Sequence, residues 1–223
     1  DTFVVYGASG SVGSMIVEEA LRRGHEVVGV SRHPESSQNE KVHFSTARGD
    51  VTDPDSIVAT VKDADAVIIS VGGVGPDNTP EEAVPFLAAK AYIEAASRLG
   101  DATPYVIQVG SGTTLNNANG VRVLETLDIK PGTPQYALFQ GHWLALEAYR
   151  HSTGFDWTVM SAAYGSILGR GEPTGCYRLG NQETLLDRNG SSLLSKEDYA
   201  IAVIDMAESH TVTGKRVAVG PPY

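Results

Sequence analysis

The apolar run "TFVVY" at residues 2–6 passes directly into "GASGSVG", Gly7 to Gly13, and the glycines open a segment in which Val12, Met15, Ile16 and Ala20 recur at helical spacing. A strand, a glycine-rich turn and an amphipathic helix in that order form the first half of a βαβ unit. Few folds accept such a beginning. Glycines at these three places let the chain turn sharply, let a pyrophosphate reach the main chain and let the helix lie close on the strand, while the helix N-terminus favours negative charge. The spacing alone is widespread. Placed in the first βα turn of an alternating chain, it predicts a dinucleotide site with contacts from Gly7, Ser9, Gly10, Ser11, Val12 and Gly13.

The alternation continues along the chain. The runs "EVVGV", "VHFST", "AVIIS", "YVIQV" and "DWTVMS" read as strands, and residues 12–23, 81–98 and 134–151 carry helical patterns. The fold class expected is α/β: a doubly wound, mostly parallel Rossmann-type sheet of order 3-2-1-4-5-6, with right-handed crossovers and helices on both faces. After Ala162 the texture changes. The stretch "GCYRLGNQETLLDRNGSSLL" is rich in Gly and Asn, and Asn189-Gly190 is a hairpin signal. "SKED", Ser195 to Asp198, has the form of a capping box opening the last helix, and "KRVAV" reads as a final strand. The organisation expected is one NAD(P)-binding domain over residues 1–223, with 163–223 contributing a small C-terminal lobe and the last strand. A chain of 223 residues with 41% hydrophobic content can bury a core of that size.

The end of the second strand separates the two nicotinamide dinucleotides. An acidic side chain there would accept hydrogen bonds from a free ribose 2′-hydroxyl, but Ser31 and Arg32 occupy the place. A hydroxyl followed by a guanidinium suits a 2′-phosphate, so NADP(H) is the preferred dinucleotide expected and NAD(H) the alternative. Past the third strand, "GDVTD" puts Asp50 where a carboxylate can meet the adenine amino group and Val51 where an apolar side chain can meet its ring; a plain turn is the competing reading.

"GASGSVG", "RRGHEVVGVSR", "GDVTD", "VGSGTT", "FDWTVMS" and the narrower run "TGCYRLGNQETLLDRNGSSLLSKEDYA" together resemble the atypical short-chain dehydrogenase/reductases, in their NmrA-like and NAD(P)H-flavin reductase branch. The resemblance covers nearly the whole chain. It implies a Rossmann-fold protein that binds NAD(P)H and passes hydride to a flavin or another conjugated acceptor, the flavin being a substrate rather than a prosthetic group. It also implies that "SVGG", with Val71 and Gly72, runs past the ribose and phosphates and that Ser111 faces the nicotinamide. Relatives often carry Pro where this chain has Ala162. In "PQYALFQGHW", Tyr136 falls where a short-chain dehydrogenase would carry its tyrosine, but Gln140 stands where the lysine that assists the tyrosine and holds the ribose would be. Ser111 and Tyr136 are therefore the candidate catalytic residues, each with packing or capping as its plainer role.

Delivering hydride to a simple carbonyl creates an alkoxide that needs a positioned proton donor, whereas a conjugated ring delocalises the charge. The missing lysine thus favours a flavin, a quinone or a similar acceptor. Two other functions stay open: an NADP(H)-sensing regulatory protein without turnover, and a sugar epimerase or dehydratase, which the absent tyrosine–lysine pair disfavours. His142, beside Phe139 and Trp143, reads as a packed side chain more readily than as a proton donor. No metal is expected, because the histidines lack ligand spacing with carboxylates or with Cys176, the single cysteine. A net charge of −10 works against binding nucleic acid or anionic lipid surfaces. With no apolar run of spanning length and no disulfide framework, a cytoplasmic location is the expectation. What precedes Asp1, and the oligomeric state, the sequence leaves open.

Overall fold

The computed structural model describes residues 1–34, 41–162 and 171–223. In chain order the elements are β1 (Thr2–Tyr6), α1 (Ser11–Arg22), β2 (Glu26–Ser31), β3 (Phe44–Arg48), α2 (Pro54–Val61), β4 (Ala66–Ile69), α3 (Val84–Leu99), β5 (Tyr105–Gly110), α4 (Pro134–Arg150), β6 (Trp157–Ala162), β7 (Arg178–Gly180), α5 (Lys196–Ser209) and β8 (Lys215–Gly220). The strands form one sheet of order β3-β2-β1-β4-β5-β6-β8-β7. All pairings are parallel except that of β7 with β8. This is the doubly wound Rossmann-like α/β architecture, and the order 3-2-1-4-5-6 is extended by β8 and then by the short antiparallel β7.

Strand periodicity divides the core between the two faces. Along β1, Phe3 and Val5 join a cluster with Ile16, Val17 and Ala20 of α1 and Val203 and Ile204 of α5. Val4 and Tyr6, alternating with them, pack with Ile57 and Val61 of α2, Tyr92 of α3 and Leu146 and Tyr149 of α4. Both faces of the central strands are therefore covered, and the C-terminal sheet edge is left for ligands. The sheet changes direction of growth between β1 and β4, the place where doubly wound sheets open a crevice.

Several local expectations are corrected. The third strand begins at Phe44 and reaches Arg48, because His43 turns the chain at φ 68° and leaves Val42 78% exposed. Helix α2 forms where the hydrophobic pattern gives no helical period: Asp53 caps it by accepting from the Asp55 amide, and Pro54 stands in its first turn. Asn189-Gly190 lies in a turn closed by the Asp187 amide on the Ser191 carbonyl, with Gly190 at φ 77°, but no strands flank it. The capping box is half formed. Ser195 accepts from the Asp198 amide at 3.0 Å, whereas the Asp198 carboxylate turns to the amides of Thr174 and Gly175 and the Thr174 hydroxyl, at 2.8–3.2 Å.

Candidate functional site

Three glycines shape the β1–α1 turn, each through a different constraint. Gly7 has φ +82°, and a Cβ there would lie 1.8 Å from the Ser70 carbonyl oxygen at the end of β4. At Gly13 a Cβ would fall 1.9 Å from the Gly7 carbonyl oxygen, so this residue lets α1 close onto the turn. Gly10 differs from both: its Cβ would meet only the Gly7 oxygen, at 3.3 Å, and its backbone is extended at φ −73°. Neither a left-handed backbone nor a hard clash requires glycine at position 10, where the contact is tight but not prohibitive. What the missing side chain leaves is open approach to the backbone at the start of α1. Gly10 caps that helix without a side-chain hydrogen bond, and no acidic residue stands in its first turn. An anion is the ligand such an end attracts.

From this turn a cleft of about 730 Å³ runs across the ends of β1, β2, β3 and β4. Its lining brings together Gly7, Ser9, Gly10, Ser31, Arg32, Asp50, Val51, Val71 and Gly72, nine of the residues singled out from the sequence. Ser11, Val12 and Gly13 do not line it: Ser11 is exposed at the first position of α1, while Val12 and Gly13 are buried in the packing of α1. The cleft also uses Gly29 and Phe44, which the sequence reading passed over. A Cβ at Gly29 would sit 2.9 Å from the Ala8 side chain and 3.1 Å from the Phe44 ring, so the floor is shaped by a missing side chain there too.

At its outer end the cleft continues into a depression of about 400 Å³ that shares Arg32, His33, Gly49 and Asp50 with it and adds Arg48, Asp53 and Ser56. Register explains the second arginine, because Ser31 and Arg48 are paired residues at the ends of β2 and β3. Among the described residues neither Arg32 nor Arg48 forms an ion pair. The Asp50 carboxyl is held below the usual carboxylate range by the Thr52 amide and hydroxyl, at 2.9 and 2.7 Å, with a further contribution from the nearby Arg32 charge. It is thus an anion at neutral pH that braces its own turn while lining the cleft.

The candidate catalytic residues lie beyond this lining. Ser111 follows β5 on the same sheet edge, is 7% exposed, and shares its hydroxyl with the Thr113 amide at 3.2 Å and the Thr113 hydroxyl at 2.7 Å. Its bonds are those of a cap on a short 3-10 turn, Gly112–Thr114. Tyr136 and Gln140 stand one turn apart on α4. That helix is seated tightly, since a Cβ at Gly141 would lie 2.2 Å from the Ala83 side chain in the approach to α3. The Gln140 carbonyl oxygen and one Glu82 carboxylate oxygen are buried without a hydrogen-bond partner among the described residues. Burial pushes the His142 imidazole down to about 4, although part of the residue still reaches solvent, so the ring is neutral at pH 7. Ala162 ends β6, and the loop after it lies outside the described residues. Among those residues, no helix is long and apolar enough to cross a membrane.

The family model for NAD(P)H-binding proteins matches residues 7–212, a span that takes in the glycine turn and most of the sheet. The chain is 29% identical over 222 residues to the uncharacterized protein YwnB of Bacillus subtilis strain 168, covering 96% of each chain. Among solved structures it is similar to a "putative epimerase" from Bacteroides thetaiotaomicron, with 31% identity, coverage of 99% of this chain and 97% of that one, and a TM-score of 0.82. A "putative NADH-flavin reductase" from Streptococcus pneumoniae TIGR4 shares 27% identity, with 99% of each chain covered and a TM-score of 0.78.

Proposed function

The chain belongs to the NAD(P)H-binding family, and from that membership we propose that it is an NADPH-preferring reductase delivering hydride to a flavin, a quinone or a similar conjugated acceptor. The observation that carries the choice of acceptor is Gln140, a neutral side chain on α4 one turn from Tyr136, where carbonyl chemistry of the short-chain dehydrogenase kind would want an ammonium group. The Streptococcus pneumoniae relative, by its description, supports the same chemistry.

In this proposal the turn at Gly7, Gly10 and Gly13 receives the pyrophosphate at the start of α1, and Val71 and Gly72 flank the ribose. Ser31, Arg32 and Arg48 take the 2′-phosphate, and Asp50 and Val51 border the adenine. When bound, the reduced nicotinamide supplies two electrons and a proton as hydride, and the acceptor takes its second proton from solvent. The chain's own contribution is then to hold two conjugated rings face to face and keep them oriented, which can account for a large part of such a rate enhancement. Ser111, committed to Thr113, acts as a wall of the nicotinamide end rather than as a nucleophile.

Steady-state oxidation of NADPH against FMN, riboflavin, quinones and simple aldehydes tests the proposal. Turnover with flavin or quinone and little with aldehydes is expected. Binding of NADP(H) with no turnover on any acceptor would put the redox-sensing function ahead of it. Tyr136→Phe should change turnover with a flavin or quinone by less than about tenfold, under roughly 1.4 kcal/mol in the barrier, because no phenolic proton is needed. A loss of about a thousandfold, accompanied by good aldehyde reduction in the wild type, would make Tyr136 a general acid.

Coenzyme preference is tested separately. NADPH should bind more tightly than NADH, and Arg32→Asp should reduce or invert that ratio by removing a charged contact with the 2′-phosphate, on the order of 1.5–3 kcal/mol. Titration of both dinucleotides into both proteins measures it; a ratio that the substitution leaves unchanged rules out the role given to Arg32.

A further inference from the structure

Helices α1 and α5 run side by side on one face of the sheet, tied at both ends by contacts with a constant offset. At their C-terminal ends Arg23 meets Glu208 and, at 2.7 Å, Asp205, while His25 meets Glu208 at 3.0 Å. At their N-terminal ends the Lys196 ammonium donates to the Ser11 hydroxyl. Arg23 to Glu208 and Ser11 to Lys196 are both 185 residues apart in the chain, the signature of two parallel helices in register. Packing therefore delivers Lys196, the first residue of α5, to the first residue of α1, directly after Gly10.

The placement sets an ammonium beside the N-terminus of α1. Glu197 and Asp198 share the first turn of α5 and complement its dipole, but the ammonium also faces the positive end of α1, whose first turn holds no acidic residue. Among the described residues no carboxylate pairs with Lys196 to offset this; its hydrogen bond is to a neutral hydroxyl. The residue is partly exposed and its contact with Ser11 lies at the surface, where water screens the charge but supplies no fixed counter-charge. An anion at Gly10 would supply that charge within reach of a flexible four-carbon stem.

We propose that Lys196 is a ligand of the dinucleotide pyrophosphate, its ammonium passing from the Ser11 hydroxyl to a phosphate oxygen when the dinucleotide binds, so that the C-terminal helix closes the phosphate site from the far end of the chain. This rests on the dinucleotide site proposed above and adds a residue that the glycine motif does not contain. Because NADH and NADPH share the pyrophosphate, Lys196 contributes equally to both, whereas Arg32 and Arg48 act on the 2′-phosphate alone.

The test is titration of NADPH and NADH into the wild type, Lys196→Met and Lys196→Arg, with thermal melting of each protein. Lys196→Met should weaken both dinucleotides by the same factor, about tenfold or more, with the NADPH-to-NADH ratio unchanged. Lys196→Arg should recover most of the loss, since it keeps the charge. A merely structural role would lower the melting temperature without this pattern. The proposal is overturned if Lys196→Met binds both dinucleotides like the wild type, if only one of them is weakened, or if arginine recovers nothing. A wild type that binds neither dinucleotide would overturn the site itself, an outcome distinct from a wild type that binds and a methionine variant that binds equally well.

Discussion

Gly10→Val should leave a folded protein that no longer binds NADPH. Valine accepts the extended backbone of residue 10, and its Cβ would meet only the Gly7 oxygen at 3.3 Å, a tight contact that a shift of a few tenths of an ångström in the turn relieves. Loss of a preferred helix-capping residue should cost about 1 kcal/mol, or about 2–4 °C in melting temperature for a chain of this size. The branched side chain would then project where the pyrophosphate must approach the amides at the start of α1. Losing two charge-assisted hydrogen bonds there, at about 1.5–3 kcal/mol each, predicts an affinity loss on the order of a hundredfold to ten-thousandfold. Circular dichroism and melting must accompany the titration. A variant that melts like the wild type and binds NADPH normally would show that the phosphate does not lie at Gly10.

The contrast among the three glycines shows how far a sequence motif reaches. "GASGSVG" was sufficient to place the turn, because strand, glycines and helix are local and their periodicities change within a dozen residues. The same holds for Ser31, Arg32, Asp50 and Val51, which follow strands and so must gather at one sheet edge once the sheet is parallel. Arg48 was open to the same argument, but the third strand was read two residues early and its end was therefore misplaced. Helix α2 escaped notice because eight residues offer only Ile57 and Val61 as buried anchors, too few for a period to emerge.

Long-range residues were invisible for a different reason. Asp198 reads as the second half of a capping box, and only the fold reveals Thr174 and Gly175 as its partners. Lys196 sits inside the capping-box stretch "SKED", and nothing local to it points to Ser11 until α5 is laid against α1. Tyr136 and Gln140 stand one turn apart on α4, yet they do not line the cleft, which in the proposed function takes the adenosine and phosphate half of the dinucleotide. Local pattern locates elements and their ends; which side chains meet across 185 residues depends on packing that no window of sequence contains.

Gly7→Ala and Gly13→Ala should fail in the opposite way to Gly10→Val, by losing stability rather than only the ligand. At Gly7 the added methyl would lie 1.8 Å from the Ser70 carbonyl oxygen, and φ +82° is itself a conformation that alanine resists. Relief would require β1 and β4, adjacent central strands, to part at the end where Tyr6 pairs with Ile69. At Gly13 the methyl would lie 1.9 Å from the Gly7 carbonyl oxygen, and the relief there is to lift α1 away from the core that Ile16, Val17 and Ala20 fill. In both cases the obstacle is backbone, which cannot rotate away as the tip of a side chain could. Overpacking commonly costs about 1–3 kcal/mol, and backbone strain at Gly7 adds about 1–3 kcal/mol more. Against a total stability of about 5–15 kcal/mol, Gly7→Ala should be the more damaging, lowering the melting temperature by roughly 4–20 °C or preventing accumulation of folded protein. Gly13→Ala should follow at about half that cost, and Gly10→Ala, measured alongside, should melt within a few degrees of the wild type. Equal stability of all three alanine variants would mean that the turn is looser than the contacts of Gly7 with Ser70 and of Gly13 with Gly7 require.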